Sequence, residues 1–235
     1  MNANGFEKLH GIDEMDEKQV LTLCRTAEWL TRQKLSGTIE LYRPVKVQTG
    51  RTPRQTGARR IRRTNVMKRI GILGAGTWGM ALARMLTVSG NDVLVWSAIE
   101  KEIDSLSTTR KHPNLPQMKI PDELRFTKSI EEVCKDKDIL LFAVPSVFVR
   151  STAAKARPYV ADGQIIVDVA KGIEPDTLYT MTEILADELG KEGGPKGVRL
   201  VALSGPTHAE EVAIDLPTTI VSASKDREAA AYVQE

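Results

Sequence analysis

Between Met67 and Leu86 the chain passes from a short apolar run, through a turn spaced by glycines, into an amphipathic stretch. Ile70, Ile72 and Leu73 come first, then Gly74, Gly76 and Gly79 in the G-x-G-x-x-G spacing, then Met80, Ala81, Leu82, Ala83 and Leu86 with helical period. The spacing predicts strand, tight turn, helix. Gly74 permits the turn, Gly76 has no Cβ to hold a diphosphate away from the backbone, and Gly79 lets the helix lie close on the strand. The first N–H groups of such a helix have no partner within it, and they face the phosphate charge. Glycine-rich turns also serve as plain strand–helix connections; the strand before and the helix after favour a dinucleotide.

From Met67 onward strand and helix patterns alternate, which implies a parallel sheet covered on both faces, a doubly wound α/β fold of Rossmann type. Val93–Trp96 reads as the second strand, Leu124–Thr127 as a weak one, Asp138–Val144 as the strongest, and Gln164–Val169 and Arg199–Leu203 as two more. Pro217–Val221 reads as the last strand and Asp226–Gln234 as a final helix, while Leu178, Met181, Ile184 and Leu185 mark a helix between strands. Ligands of open α/β sheets lie outside the carboxyl ends of the strands. Lys171, just past such an end and followed by Gly172, is placed to reach an anion, although most lysines are solvated surface charges. His208 is either an acid or base, or a helix-start residue bonding locally.

Coenzyme type is usually read some 20 residues beyond the glycines, where a carboxylate would hold a ribose 2′-hydroxyl. Here the strand ends Trp96-Ser97-Ala98, with Lys101 further on. The missing carboxylate removes a repulsion against a 2′-phosphate, so the expectation leans to NADP(H) over NAD(H).

Residues 1–66 differ from the rest. A helix is expected over about 16–34 and a short strand over 38–42; residues 43–65, rich in Arg, Thr, Gln, Gly and Pro, read as a disordered linker. The expected division is therefore an extension, 1–66, and a dinucleotide-binding domain, 67–235. Met67 also reads as a natural start. The linker has no aromatic interleaving, so nucleic acid is not an expected partner. With a net charge of +2, the 235-residue chain as a whole calls for no acidic partner. Cys24 and Cys134 form neither a disulfide framework nor a zinc spacing, so no metal is expected. The apolar run 139–149 is too short to span a bilayer and contains Pro145, and the acidic N-terminus is unlike a targeting peptide; a cytoplasmic protein is expected.

Four motifs carry a resemblance. Gly74-Ala75-Gly76-Thr77-Trp78-Gly79, Val144-Pro145-Ser146, Lys171-Gly172-Ile173-Glu174, and Ser204-Gly205-Pro206-Thr207-His208-Ala209-Glu210-Glu211-Val212 with Leu216-Pro217-Thr218 follow one another as in NAD(P)-dependent glycerol-3-phosphate dehydrogenases, which the chain resembles from Met67 to its end. The resemblance implies reduction of dihydroxyacetone phosphate to sn-glycerol 3-phosphate, a phospholipid precursor, by a nicotinamide hydride. It implies coenzyme contacts at Gly74, Gly76, Thr77, Trp78, Gly79, Ala98 and Ala209. It implies substrate contacts at Gly205 and Thr207, and a contact with both ligands at Lys171. A homodimer is compatible with it.

Two departures bear on these expectations. The loop His112–Pro116 lacks the aromatic residue the family tends to carry before its Leu-Pro. The family's acid/base lysine and phosphate-binding groups belong to a helical second domain, which is expected to be missing from a chain ending at Glu235. Two alternatives therefore stay open: a catalytically silent dinucleotide-binding module, and another small-molecule dehydrogenase of similar fold.

Overall fold

A computed structural model describes residues 66–234; the helix expected near 16–34, the strand near 38–42, the basic linker and Cys24 lie outside the described residues. Seven strands form one sheet: β1 (Arg69–Leu73), β2 (Asp92–Trp96), β3 (Arg125–Thr127), β4 (Ile139–Phe142), β5 (Ile165–Asp168), β6 (Arg199–Ser204) and β7 (Val221–Ser224). Their spatial order is β3-β2-β1-β4-β5-β6-β7, and all neighbours but the last pair run parallel. The chain leaves β1 toward one edge and resumes at β4 toward the other. The carboxyl ends of β1 and β4 therefore flank the point where strand order reverses, where such sheets open a crevice.

Strand alternation sorts the core into two layers. Ile70, Ile72, Val93, Val95, Leu141 and Val167 face α1 (Thr77–Val88) and α2 (Glu100–Thr109), whose Met80, Ala81, Ile103 and Leu106 are buried. On the opposite face, Leu94, Trp96, Leu140, Phe142 and Ile166 meet α3 (Ile130–Cys134), α4 (Val149–Ala156) and α5 (Met181–Leu189). Both faces are thus dry, which is why β4 reads as an unbroken apolar run rather than an alternating one.

Helix ends follow local chemistry. Ser129 caps α3 by accepting from the Glu132 N–H at 3.2 Å. Thr180 and Glu183 form a reciprocal capping box at α5, so that helix starts at Met181. Leu178, expected within this helix, is instead 69% exposed with φ 58°, outside it. The α5 boundary is fixed by the cap, which the apolar spacing did not weigh.

The last strand also differs from expectation. Residues 217–220 form no ladder, Pro217 having no N–H to give, and β7 begins at Val221 opposite Ser204, running antiparallel to β6. The one helix in the connection 205–220 is α6 (Ala209–Val212), four residues long and about 6 Å, against the roughly 20 Å a helical return along β6 needs. A chain that stays at the carboxyl end of one strand must descend through the next. Finally, α7 (Arg227–Gln234) packs on β6 and β7.

Candidate functional site

The glycine turn is built by close approach. The Gly74 N–H donates to the Trp96 carbonyl at 2.8 Å, and the Ala143 N–H to that of Leu73 at 2.8 Å, so the ends of β2, β1 and β4 are tied together. Gly74 has φ 125°, and a Cβ on it would stand 2.7 Å from the Ala143 carbonyl carbon. A Cβ on Gly79 would stand 2.2 Å from the Gly74 carbonyl oxygen. Neither site admits a side chain without moving backbone.

Gly76 is the exception: nothing lies within 4 Å of where its Cβ would be, and its φ of −67° suits any residue. Packing and backbone conformation therefore do not call for glycine there. The space outside the turn does, if it is to be occupied. Gly76 is also the N-cap of α1, with no side-chain cap and no acidic residue in the first turn, so the first N–H groups of a 12-residue helix are left for an external anion. These features fit the diphosphate of a dinucleotide.

The other expected residues gather at the same ends of the strands. Ala98 is exposed just past β2, and Ser97 before it is buried, its hydroxyl donating to the Glu102 carboxylate at 2.5 Å. Glu102, in the first turn of α2, is thus a carboxylate held near this strand end that the strand's own sequence does not show. Lys101 on α2 is exposed and forms no ion pair among the described residues. Thr77 and Trp78 are half-buried, and Trp78 packs against the core under α1.

Two motifs 34 residues apart meet here. The Lys171 ammonium donates to the Gly205 carbonyl at 3.3 Å, and the Thr207 N–H donates to the same oxygen at 2.9 Å. Gly205 and Thr207 are buried, and Gly205 lies against the Thr219 backbone. Ala209 opens α6, which packs on α1, so the glycine turn and the Gly205 turn share a wall. His208 is exposed at the α6 N-cap without a side-chain cap bond.

Three groups escaped the sequence reading. Asp168 ends β5 buried, 5% exposed, its carboxylate accepting only the Ala170 N–H at 3.2 Å; burial pushes it up to about 7. An aspartate closing an apolar strand was a visible signal. His112, in the loop before β3, is 4% exposed, its Nδ1 accepting the Asn114 N–H at 3.2 Å. Burial pushes this imidazole down, opposed by a backbone hydrogen bond with Ala75 of the glycine turn and by the Glu102 charge. Arg84 of α1 grips Asp215 through two bonds of 2.7 and 2.8 Å, fastening that helix to the loop after α6. That pair spans 131 residues and carries no local signature.

Fold and turn together define a class: a doubly wound α/β domain of the dinucleotide-binding type. Within that class, the family model described as the NAD-dependent glycerol-3-phosphate dehydrogenase N-terminus matches residues 69–230, and the chain belongs to this family. It is 67% identical over 169 residues to glycerol-3-phosphate dehydrogenase (NAD(P)+) 2 of Lactobacillus delbrueckii subsp. bulgaricus, covering 72% of this chain and 50% of that protein. With the Bacillus subtilis protein named glycerol-3-phosphate dehydrogenase (NAD(P)+) it shares 39% identity over 172 residues, covering 72% and 48%. The crystal structure of the Coxiella burnetii glycerol-3-phosphate dehydrogenase superposes with a TM-score of 0.62 at 29% identity, over 71% of this chain and 50% of that one. The chain spans about half the length of the curated relatives it matches.

Proposed function

We propose that this chain forms the coenzyme-holding part of an NAD(P)-dependent glycerol-3-phosphate dehydrogenase, with a nicotinamide dinucleotide lying across the carboxyl ends of β1 and β4. The observation that carries this reading is the open space at Gly76 inside a turn that is otherwise closed by backbone. Thr77, Trp78 and Gly79 offer their N–H groups to the diphosphate, Ala98 lies toward the adenosine ribose, and Ala209 flanks the coenzyme from α6. The phosphorylated coenzyme is the favoured form, since Ala98 brings no charge, Lys101 is exposed with no ion pair among the described residues, and the Glu102 carboxylate at this strand end is engaged by Ser97.

Dihydroxyacetone phosphate is the substrate in this reading, held at Lys171, Gly205 and Thr207. When bound, the coenzyme supplies the hydride. The carbonyl oxygen gains negative charge as the hydride arrives, and a lysine fixed beforehand stabilises that charge without reorganising. The resemblance assigns the acid/base lysine to a second domain, and the chain spans about half the length of the curated relatives it matches. Turnover is therefore measured in a full-length form, and intact coenzyme binding without turnover there would leave a binding module.

The test is Gly76→Ala. The methyl group meets no protein atom, so the only stability cost is the poorer N-cap, and the melting temperature should stay within about 4 °C of the parent. It should nonetheless displace the diphosphate and cost one or two charge-assisted bonds, weakening NADPH roughly 10- to 100-fold in calorimetry. Equal affinity in parent and variant would refute the reading.

A further inference from the structure

Lys171 lies on a solvent-exposed stretch between β5 and α5, yet the chain around it is tied down at an unexpected place. Glu174, three residues on, is gripped from α4: Arg150 Nε donates to Oε1 and Nη2 to Oε2, both at 2.7 Å. The remaining guanidinium nitrogen reaches Asp187 on α5. Paired guanidinium–carboxylate bonds of this kind fix orientation as well as distance. The guanidinium holds the Glu174 carboxyl down at about 2, so the grip persists at neutral pH.

Glu174 in turn organises its own loop. Its N–H donates to the Tyr179 carbonyl and its carbonyl accepts from Leu178, each at 2.9 Å, and Ile173 bridges to Thr180 at the start of α5. On the near side, Gly172 at φ 138° has Ser146 3.3 Å from its absent Cβ, and the Ala170 N–H is held by Asp168. The backbone of Lys171 is thus held between β5 and the Arg150 grip, and its ammonium is set on the Gly205 carbonyl.

Helix packing does not need this grip. Val149, Ala153, Ile184 and Leu185 already bury the α4–α5 contact, and Arg157 joins Glu188 across it at 3.0 Å. We infer that Arg150, acting through Glu174, is a positioning residue that holds Lys171 over the Gly205 turn. This rests on the assignment of Lys171 to the substrate under the proposed function.

The experiment follows acylation of individual lysines by mass spectrometry in the whole chain, with Lys101 as the internal reference for a free surface amine. Arg150→Met keeps the aliphatic stem and removes the grip; Glu174→Gln removes the charge without changing shape. Both should raise the Lys171/Lys101 rate ratio about threefold or more, with circular dichroism unchanged, as expected when a hydrogen-bonded amine is released. An unchanged ratio in a folded variant overturns the inference. Should Arg150→Met not fold, Glu174→Gln decides on the same readout. Protection of Lys171 by glycerol 3-phosphate is recorded in the parent: its absence would count against the substrate assignment, whereas the rate ratio decides positioning on its own.

Discussion

Asp168 offers a sharp test of the energetics at the carboxyl end of β5. Its carboxyl is 5% exposed, has no ion-pair partner among the described residues, and is raised by burial from 3.8 to about 7. A carboxyl whose folded pKa exceeds its unfolded one binds its proton more tightly in the folded chain. Stability therefore falls as pH rises through the interval from about 4 to 7, and levels off above it. Three pH units of mismatch at about 1.4 kcal/mol each amount to about 4 kcal/mol lost at pH 8. Asp168→Asn removes the charge, and its amide oxygen can still accept from Ala170. Urea denaturation of parent and variant from pH 4 to 8 measures the difference. The variant should match the parent near pH 4, exceed it by about 1.5 kcal/mol at pH 5, and by about 4 kcal/mol at pH 8. Parallel stability curves across that range would refute the reasoning, because they would mean that Asp168 is solvated or paired.

Other consequences follow from the same geometry. Gly79→Ala drives a methyl group onto the Gly74 carbonyl, and overpacking of about 3 kcal/mol should lower the melting temperature by roughly 6–12 °C in a scan. Arg84→Met strands the half-buried Asp215 carboxylate, and with allowance for its partial exposure should cost about 1 kcal/mol at pH 7. Arg84 holds the Asp215 carboxyl below its usual range, so that contribution is present above about pH 4 and lost as pH falls further; denaturation curves of parent and variant should converge in acid. Lys171→Ala should weaken glycerol 3-phosphate more than NADPH when both are titrated in a complemented or full-length form, and equal losses would count against its role. Lys101→Glu should weaken NADPH while sparing NADH, read from the two dissociation constants.

The parts legible in the sequence are those in which neighbours along the chain decide the outcome. Ile70 to Ala83 announced strand, turn and helix because period and glycine spacing are local, and β4 was plain because a strand buried on both faces shows no alternation. The crevice followed from topology. Leu178 was misplaced because apolar spacing carried the helix past a cap that Thr180 and Glu183 impose. The direction of β7 depended on the length of α6, which a Gly-Pro-rich stretch conceals. Within the site, Lys171 and Gly205 were each singled out, but their contact was invisible, since 34 residues, a helix and a strand separate them. The Arg150–Glu174 and Arg84–Asp215 pairs were out of reach for the same reason: charges on helices and loops read as solvated until the fold supplies a partner.

The central claim is that the amides opening α1 receive the diphosphate of a nicotinamide coenzyme. Amide-resolved NMR of the whole chain during titration with NADPH tests it most directly. The account predicts that the largest saturable shifts fall on Thr77, Trp78 and Gly79, with smaller ones at Ala98 and Ala209. A folded protein whose amides at 77–79 stay unmoved at saturating coenzyme would contradict it.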